Sequence, residues 1–264
     1  MSTLQGSWLW YELMSTDPQG AKVFYEAVVG WQIAAGAEGS DEYGFLTAPD
    51  GEMVGGLLHL TPDMAEHGAR PAWIGYVGVD DVDAAASAIE GQGGKVLMPA
   101  REVEMAGRIA MVADPGGAPF YIMKPSPPPG SEGGASMAFQ ADRNPGHCGW
   151  NELMAGDPKR ETAFYTDQFG WSLPDGMDMG EHGTYQFVAH DGVTVGAIMG
   201  LMGTPQPMWN HYFWVPGITQ AKARIEENGG QVINGPMEVP GGDWIVQGID
   251  PQGAMFSLVG PLGE

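Results

Sequence analysis

Along Ser7–Met14 the side chains alternate. Trp8, Trp10, Glu12 and Met14 share one face, and Leu9, Tyr11 and Leu13 the other, the period of two that predicts a strand. Asp17-Pro18 follows, an N-cap residue and a proline suited to the first helical position. Ala21, Phe24, Tyr25 and Val28 then recur at helical spacing, and Gly30 closes the segment. Strands are expected near Tyr43–Thr47 and Met53–Leu60, with Pro49-Asp50-Gly51 turning between them. The pattern restarts with a strand at Trp73–Val79 and a helix at Ala84–Gln92, closed by Gly93-Gly94. Strands at Lys95–Met98, Ile109–Ala113 and Phe120–Met123 complete it, the last two joined by Asp114-Pro115-Gly116-Gly117.

The whole pattern is then written a second time. Trp10, Glu12, Leu13, Met14, Asp17 and Pro18, followed by Phe24, Tyr25, Gly30 and Trp31, recur at identical spacing. The second copy reads Trp150, Glu152, Leu153, Met154, Asp157 and Pro158, followed by Phe164, Tyr165, Gly170 and Trp171. Gly93-Gly94 and Asp114-Pro115 recur as Gly229-Gly230 and Asp250-Pro251. Two such blocks mean one unit duplicated. The halves are placed at residues 1–124 and 147–264. The stretch 125–146, with Pro127-Pro128-Pro129 and Gly133-Gly134, reads as a linker stiffened by its prolines. The expected class is α+β.

Composition narrows the function. With 11 basic against 33 acidic residues the net charge is −22, which repels phosphate backbones and anionic lipid, so neither nucleic acid nor membrane is an expected partner. A lone cysteine, Cys148, allows no intramolecular disulfide and suits a reducing cytoplasm. Met1–Tyr11 has neither a basic start nor an apolar core, so no secretory signal is expected. No phosphate-binding loop, nucleophile elbow or Cys-x-x-Cys pair occurs.

The ordered set Asp17-Pro18…Phe24-Tyr25…Gly30-Trp31 and Asp114-Pro115-Gly116-Gly117-Ala118, with its second copy, resembles the vicinal oxygen chelate superfamily. That group holds glyoxalases, bleomycin-resistance proteins and extradiol dioxygenases. The resemblance implies two tandem glyoxalase-like domains, each of paired βαβββ modules forming a cupped sheet. Enzymes of the family hold a divalent metal on His, Glu or Gln from four strands. Here the matching positions are Trp10, the stretch Leu57–His59, Ile74 and Tyr121. In the second half they are Trp150, the stretch Ala197–Met199, Asn210 and Ser257. Such a set lacks the three good ligands a catalytic metal needs, so no metal site or other cofactor is expected.

The resemblance turns the first strand toward the cup, so Trp10 with Glu12, and Trp150 with Glu152, are candidates. Each pair reads either as core filling or as an indole that stacks on a flat ligand beside a carboxylate base. Tyr76, Tyr212, Tyr121 and His59 are further candidate lining residues. Three functions stay open. The leading one is binding of a small, flat, apolar or aromatic molecule without the family metal. The second is a metal-independent isomerase or lyase using Glu12 or Glu152 as base. The third is a metal-dependent lyase or dioxygenase with displaced ligands. The expected partner is a small molecule, and the tandem copies are expected to act as an intrachain pseudo-dimer.

Overall fold

The computed structural model describes residues 4–35, 42–104, 106–126 and 136–263. Pro127-Pro128-Pro129 and Gly133-Gly134 of the expected linker lie outside the described residues.

The first half runs β1 (Trp8–Ser15), α1 (Pro18–Val28), β2 (Gln32–Ala35), β3 (Tyr43–Thr47), β4 (Met53–His59) and α2 (Pro62–Glu66). It continues with β5 (Ala72–Gly78), α3 (Val82–Gly91), β6 (Lys95–Val103), β7 (Gly107–Ala113) and β8 (Pro119–Pro125). The second half repeats it as β9 (Cys148–Ala155), α4 (Pro158–Phe169), β10 (Met177–Asp178), β11 (Thr184–His190) and β12 (Val193–Gly200). Then follow β13 (Met208–Trp214), α5 (Ile218–Glu227), β14 (Gln231–Glu238), β15 (Trp244–Ile249) and β16 (Met255–Gly260). Each half carries one eight-stranded mixed sheet. The orders are β2-β3-β4-β1-β5-β8-β7-β6 and β10-β11-β12-β9-β13-β16-β15-β14, the same topology twice.

The helices begin where the sequence places them. Asp17 and Asp157 cap α1 and α4 through their side chains, accepting from Gly20 N and Arg160 N. Gly170 closes α4 in the left-handed conformation at φ 67°, where a side chain would be strained. Periodicity missed β2, β10 and α2, all five residues or shorter. It also stopped β6 at Met98. The strand continues through a register shift between Met98 and Arg101, which interrupts the alternation the reading relied on.

Packing divides the chain into two compact units, and each draws one module from each half. The first unit is Met1–Leu9, Gly75–Ser136 and Trp150–Trp209; the second is Trp10–Ile74, Met137–Gly149 and Asn210–Glu264. In the second unit Trp73 Nε1 donates to Tyr25 Oη (2.9 Å), which donates to Asp250 (3.0 Å). The other carboxylate oxygen of Asp250 takes Gln252 N and Ala254 N, closing the Asp-Pro turn. The first unit repeats this relay as Trp209 to Tyr165 (2.8 Å) to Asp114 (3.1 Å). Trp31 Nε1 donates to Gly146 O (2.7 Å) in the second unit, and Trp171 Nε1 to Gly6 O (2.8 Å) in the first. Within each unit the repeated motifs therefore meet in a buried contact of their own. The helix tyrosine of each copy is hydrogen-bonded to the turn aspartate of the other.

Candidate functional site

β1 and β9 share one burial pattern. Only one residue ahead of the strand's C-terminal end is half-exposed in each, Trp10 and Trp150. In β1 the pairing sets Glu12 opposite Gly56 and Met14 opposite Leu58, while β3 sets Phe45 opposite Gly56 and Tyr43 opposite Leu58. Side chains of paired residues point to the same side. One face in the second unit therefore carries Trp10, Glu12, Met14, Leu58, Tyr43 and Phe45. Trp10 Nε1 donates to Tyr43 Oη (3.0 Å) and meets Phe45 edge-on, with centroids 6.4 Å apart. Tyr43 lies across bare backbone, because a Cβ on Gly56 would fall 1.9 Å from its hydroxyl. Glu12 is buried, only 4% exposed.

The first unit builds the matching face from β9, β11 and β12. Glu152 sits opposite Ala197 and Met154 opposite Met199, with Phe187 opposite Ala197 on the far side. Trp150 Nε1 donates to Tyr185 Oη (2.8 Å), and Tyr185 donates to Glu152 Oε2 (2.8 Å). Burial first, and the Glu152 charge second, push the Tyr185 phenol well above its ordinary pKa. Tyr185 therefore stays protonated and keeps its role as donor. The indole and phenol rings lie 3° from parallel with centroids 6.5 Å apart. Phe187 meets both at right angles, at 5.9 and 5.7 Å.

The other candidates lie on β4, β5, β8 and β13. His59 pairs with Ser15, so it shares the opposite face of β4 from Glu12, and the register does not bring the two together. The residue matching Met199 is Leu58, not His59. Tyr76 and Tyr121 are paired across β5 and β8 and stack at 4.3 Å and 11°, both buried. Tyr212 accepts from Gln247 Nε2 (2.8 Å), and its strand partner Ser257 donates to Asn210 Oδ1 (2.9 Å). His211, fully buried edge-on against Tyr11 at 4.9 Å, belongs to the second unit's core; burial lowers its pKa to about 3. His147 is also buried and bonds Asp50 (2.9 Å).

The positions where the family holds its metal do not make a donor set. The indole nitrogens of Trp10 and Trp150 carry N–H donors and offer no lone pair. Ile74 is aliphatic. The Tyr121 ring is stacked on Tyr76, and Asn210 Oδ1 already takes the Ser257 hydroxyl. Among the described residues no group of three His, Cys, Asp or Glu could hold a metal ion. The family metal does not fit these residues.

Sequence reasoning missed Tyr43 and Tyr185, the side chains that bind the two indoles. The signal was present, since Tyr43-Gly44-Phe45 recurs as Tyr185-Gln186-Phe187. The insertion difference between the copies hid it, because fixed spacing from Phe24-Tyr25 puts the second tyrosine two residues early.

Comparison with known proteins agrees with this architecture. The mycobacterial protein named "Putative glyoxylase CFP32", from Mycobacterium tuberculosis, is 32% identical over 266 residues, covering 98% of this chain and 97% of its own. The anthracycline biosynthesis protein DnrV of Streptomyces peucetius is 30% identical over 268 residues, covering 96% and 93%. Among solved structures, the Mn(II)-bound glyoxalase from Novosphingobium aromaticivorans superposes with a TM-score of 0.65 at 16% identity, covering 98% of this chain and 84% of that one. Homoprotocatechuate 2,3-dioxygenase from Arthrobacter globiformis gives 0.67 at 16%, covering 97% and 80%. At such identities these two likenesses speak to fold alone. The family model described as Glyoxalase/Bleomycin resistance protein/Dioxygenase superfamily matches residues 8–122 and again 144–258, and the chain belongs to that superfamily.

Proposed function

We propose that the chain binds a small, flat, apolar or aromatic molecule against its Trp–Tyr walls and does so without the family metal. The observation that carries this reading is the half-exposure of Trp10 and Trp150 in strands whose following residues are buried, each indole held by a tyrosine hydroxyl. An indole tied at its nitrogen is oriented before any ligand arrives, so stacking costs little ordering. The naming of one relative for anthracycline biosynthesis supports an aromatic ligand. The proposed setting is cytoplasmic, on the ground that a single cysteine allows no intramolecular disulfide.

A titration with 2-naphthol followed by tryptophan fluorescence and calorimetry tests it. Saturable binding is expected, with Trp10→Ala and Trp150→Ala each removing a site, and Glu12→Gln and Glu152→Gln causing only modest loss. Native mass spectrometry of protein purified without added metal should show no stoichiometric metal. Absent naphthol binding, or a bound divalent ion required for it, would sink the reading.

The Tyr185–Glu152 hydrogen bond favours one second reading, a metal-independent isomerase or lyase. A carboxylate already paired with a phenol can take a proton from a substrate while the phenol steadies the developing charge. On that reading Glu152→Gln abolishes turnover and leaves binding intact.

A further inference from the structure

The second half's wall is larger than one aromatic ring. An indole N–H lies in the plane of its ring, and a phenol oxygen lies in the plane of its own. A hydrogen bond of 2.8 Å between them therefore joins Trp150 and Tyr185 edge to edge, and the 3° interplanar angle makes the pair one nearly flat surface. A centroid separation of 6.5 Å lies at the long end of the range for parallel rings, as a pair displaced sideways requires. Phe187 braces both rings at right angles, and Glu152 holds the phenol oxygen from its other side. Trp150 and Tyr185 are both half-buried, neither wholly covered by the protein.

We infer that this platform selects planar molecules of fused rings, which cover indole and phenol together, over single-ring compounds, which cover only one. The inference rests on the aromatic-wall reading above and names its ligand class. Both platform faces are π surfaces, so stacking over the added ring tolerates varied substituents. It contributes per ring as base stacking does on aromatic side chains.

The test uses the full chain carrying Trp10→Ala, which leaves the second half's wall as the site followed. The probes are 1-hydroxyanthraquinone, with three fused rings, and 2′-hydroxyacetophenone, which keeps the same hydroxyl beside a carbonyl on one ring. Tyr185→Leu is expected to weaken the three-ring probe at least about tenfold and the one-ring probe less than about twofold. Equal losses for both probes would overturn the inference. A measurement on protein with Tyr185 intact guards against a variant that fails to fold. Proton NMR of bound 1-hydroxyanthraquinone should show upfield ring-current shifts on both terminal rings, and shifts confined to one terminal ring would overturn the inference. If neither probe binds, the aromatic-wall reading falls with it. If both bind and Tyr185→Leu does not discriminate, only the fused-ring preference falls.

Discussion

Tyr25 and Tyr165 are single residues on which each compact unit depends. Each takes an indole N–H and gives its own proton to a buried aspartate, so removing the hydroxyl orphans a donor and weakens an acceptor together. Tyr25→Phe and Tyr165→Phe should each cost about 1–3 kcal/mol, read as a lower urea midpoint with unchanged slope. A loss below about 0.5 kcal/mol for both would show that these bonds are replaceable by water. His211 makes a second residue-scale prediction. Its folded pKa is about 3 against an ordinary 6.5, so between those values the unfolded chain binds a proton that the native protein refuses. The stability tied to His211 is thus complete above pH 6.5 and is lost as pH falls toward 3, by on the order of 5 kcal/mol at the limit. Asp114, Asp250 and Glu161 work in the opposite sense, because burial raises their pKa values and their contribution falls as pH rises. Comparing His211→Phe with the parent isolates the histidine. The variant's melting temperature should fall less between pH 7 and pH 4.5, and parallel pH profiles would refute the assignment.

At the scale of elements, two glycines of the central strands leave no room for a Cβ. A Cβ on Gly196 of β12 would meet Asn151 O of β9 at 1.8 Å, and one on Gly55 of β4 would meet Tyr11 O of β1 at 2.3 Å. These glycines are strand partners of the residues they approach, one position before the rows that carry Glu12 and Glu152. Gly196→Ala should destabilise by about 1–3 kcal/mol, seen in chemical denaturation, and should disturb the Trp150 fluorescence that reports the wall. An unchanged midpoint and spectrum would mean that the strand shifts without consequence. The same elements show what the sequence made legible. Long amphipathic stretches such as α1 and β1 announced themselves because burial is periodic there. Short β2 and β10 did not, having too few residues to define a period. The Trp-x-Glu rows were legible because alternation fixes which residues share a face. His59 was misplaced because its side depends on the register against β1, which no single-strand pattern encodes. Tyr43 and Tyr185 reach their indoles from other strands, and that pairing is likewise a property of the register.

At the scale of the whole chain, the duplication is not two self-sufficient halves. Each compact unit takes one module from each copy, and the buried relays run from a helix in one copy to a turn in the other. Residues 1–124 expressed alone would keep Tyr25 and Trp31 while losing Asp250 and Gly146, their hydrogen-bond partners. Buried aromatic surface and polar groups would face water together, a cost that a domain with a few kcal/mol of stability does not survive as a monomer. The repeat offers one escape. Tyr25 stands in its copy where Tyr165 stands in the other, and Tyr165 bonds Asp114 of the first half. Two copies of the first half could therefore pair with each Tyr25 on the partner's Asp114, a closed two-fold contact. The expected result from light scattering and circular dichroism is that residues 1–124 are either unfolded or dimeric, and that mixing them with residues 125–264, which carry Gly146, restores one-to-one complexes with the melting behaviour of the intact chain. A first half that is monomeric, folded and as stable as the parent would show that the relays between copies are ornament, and that each sheet stands on its own.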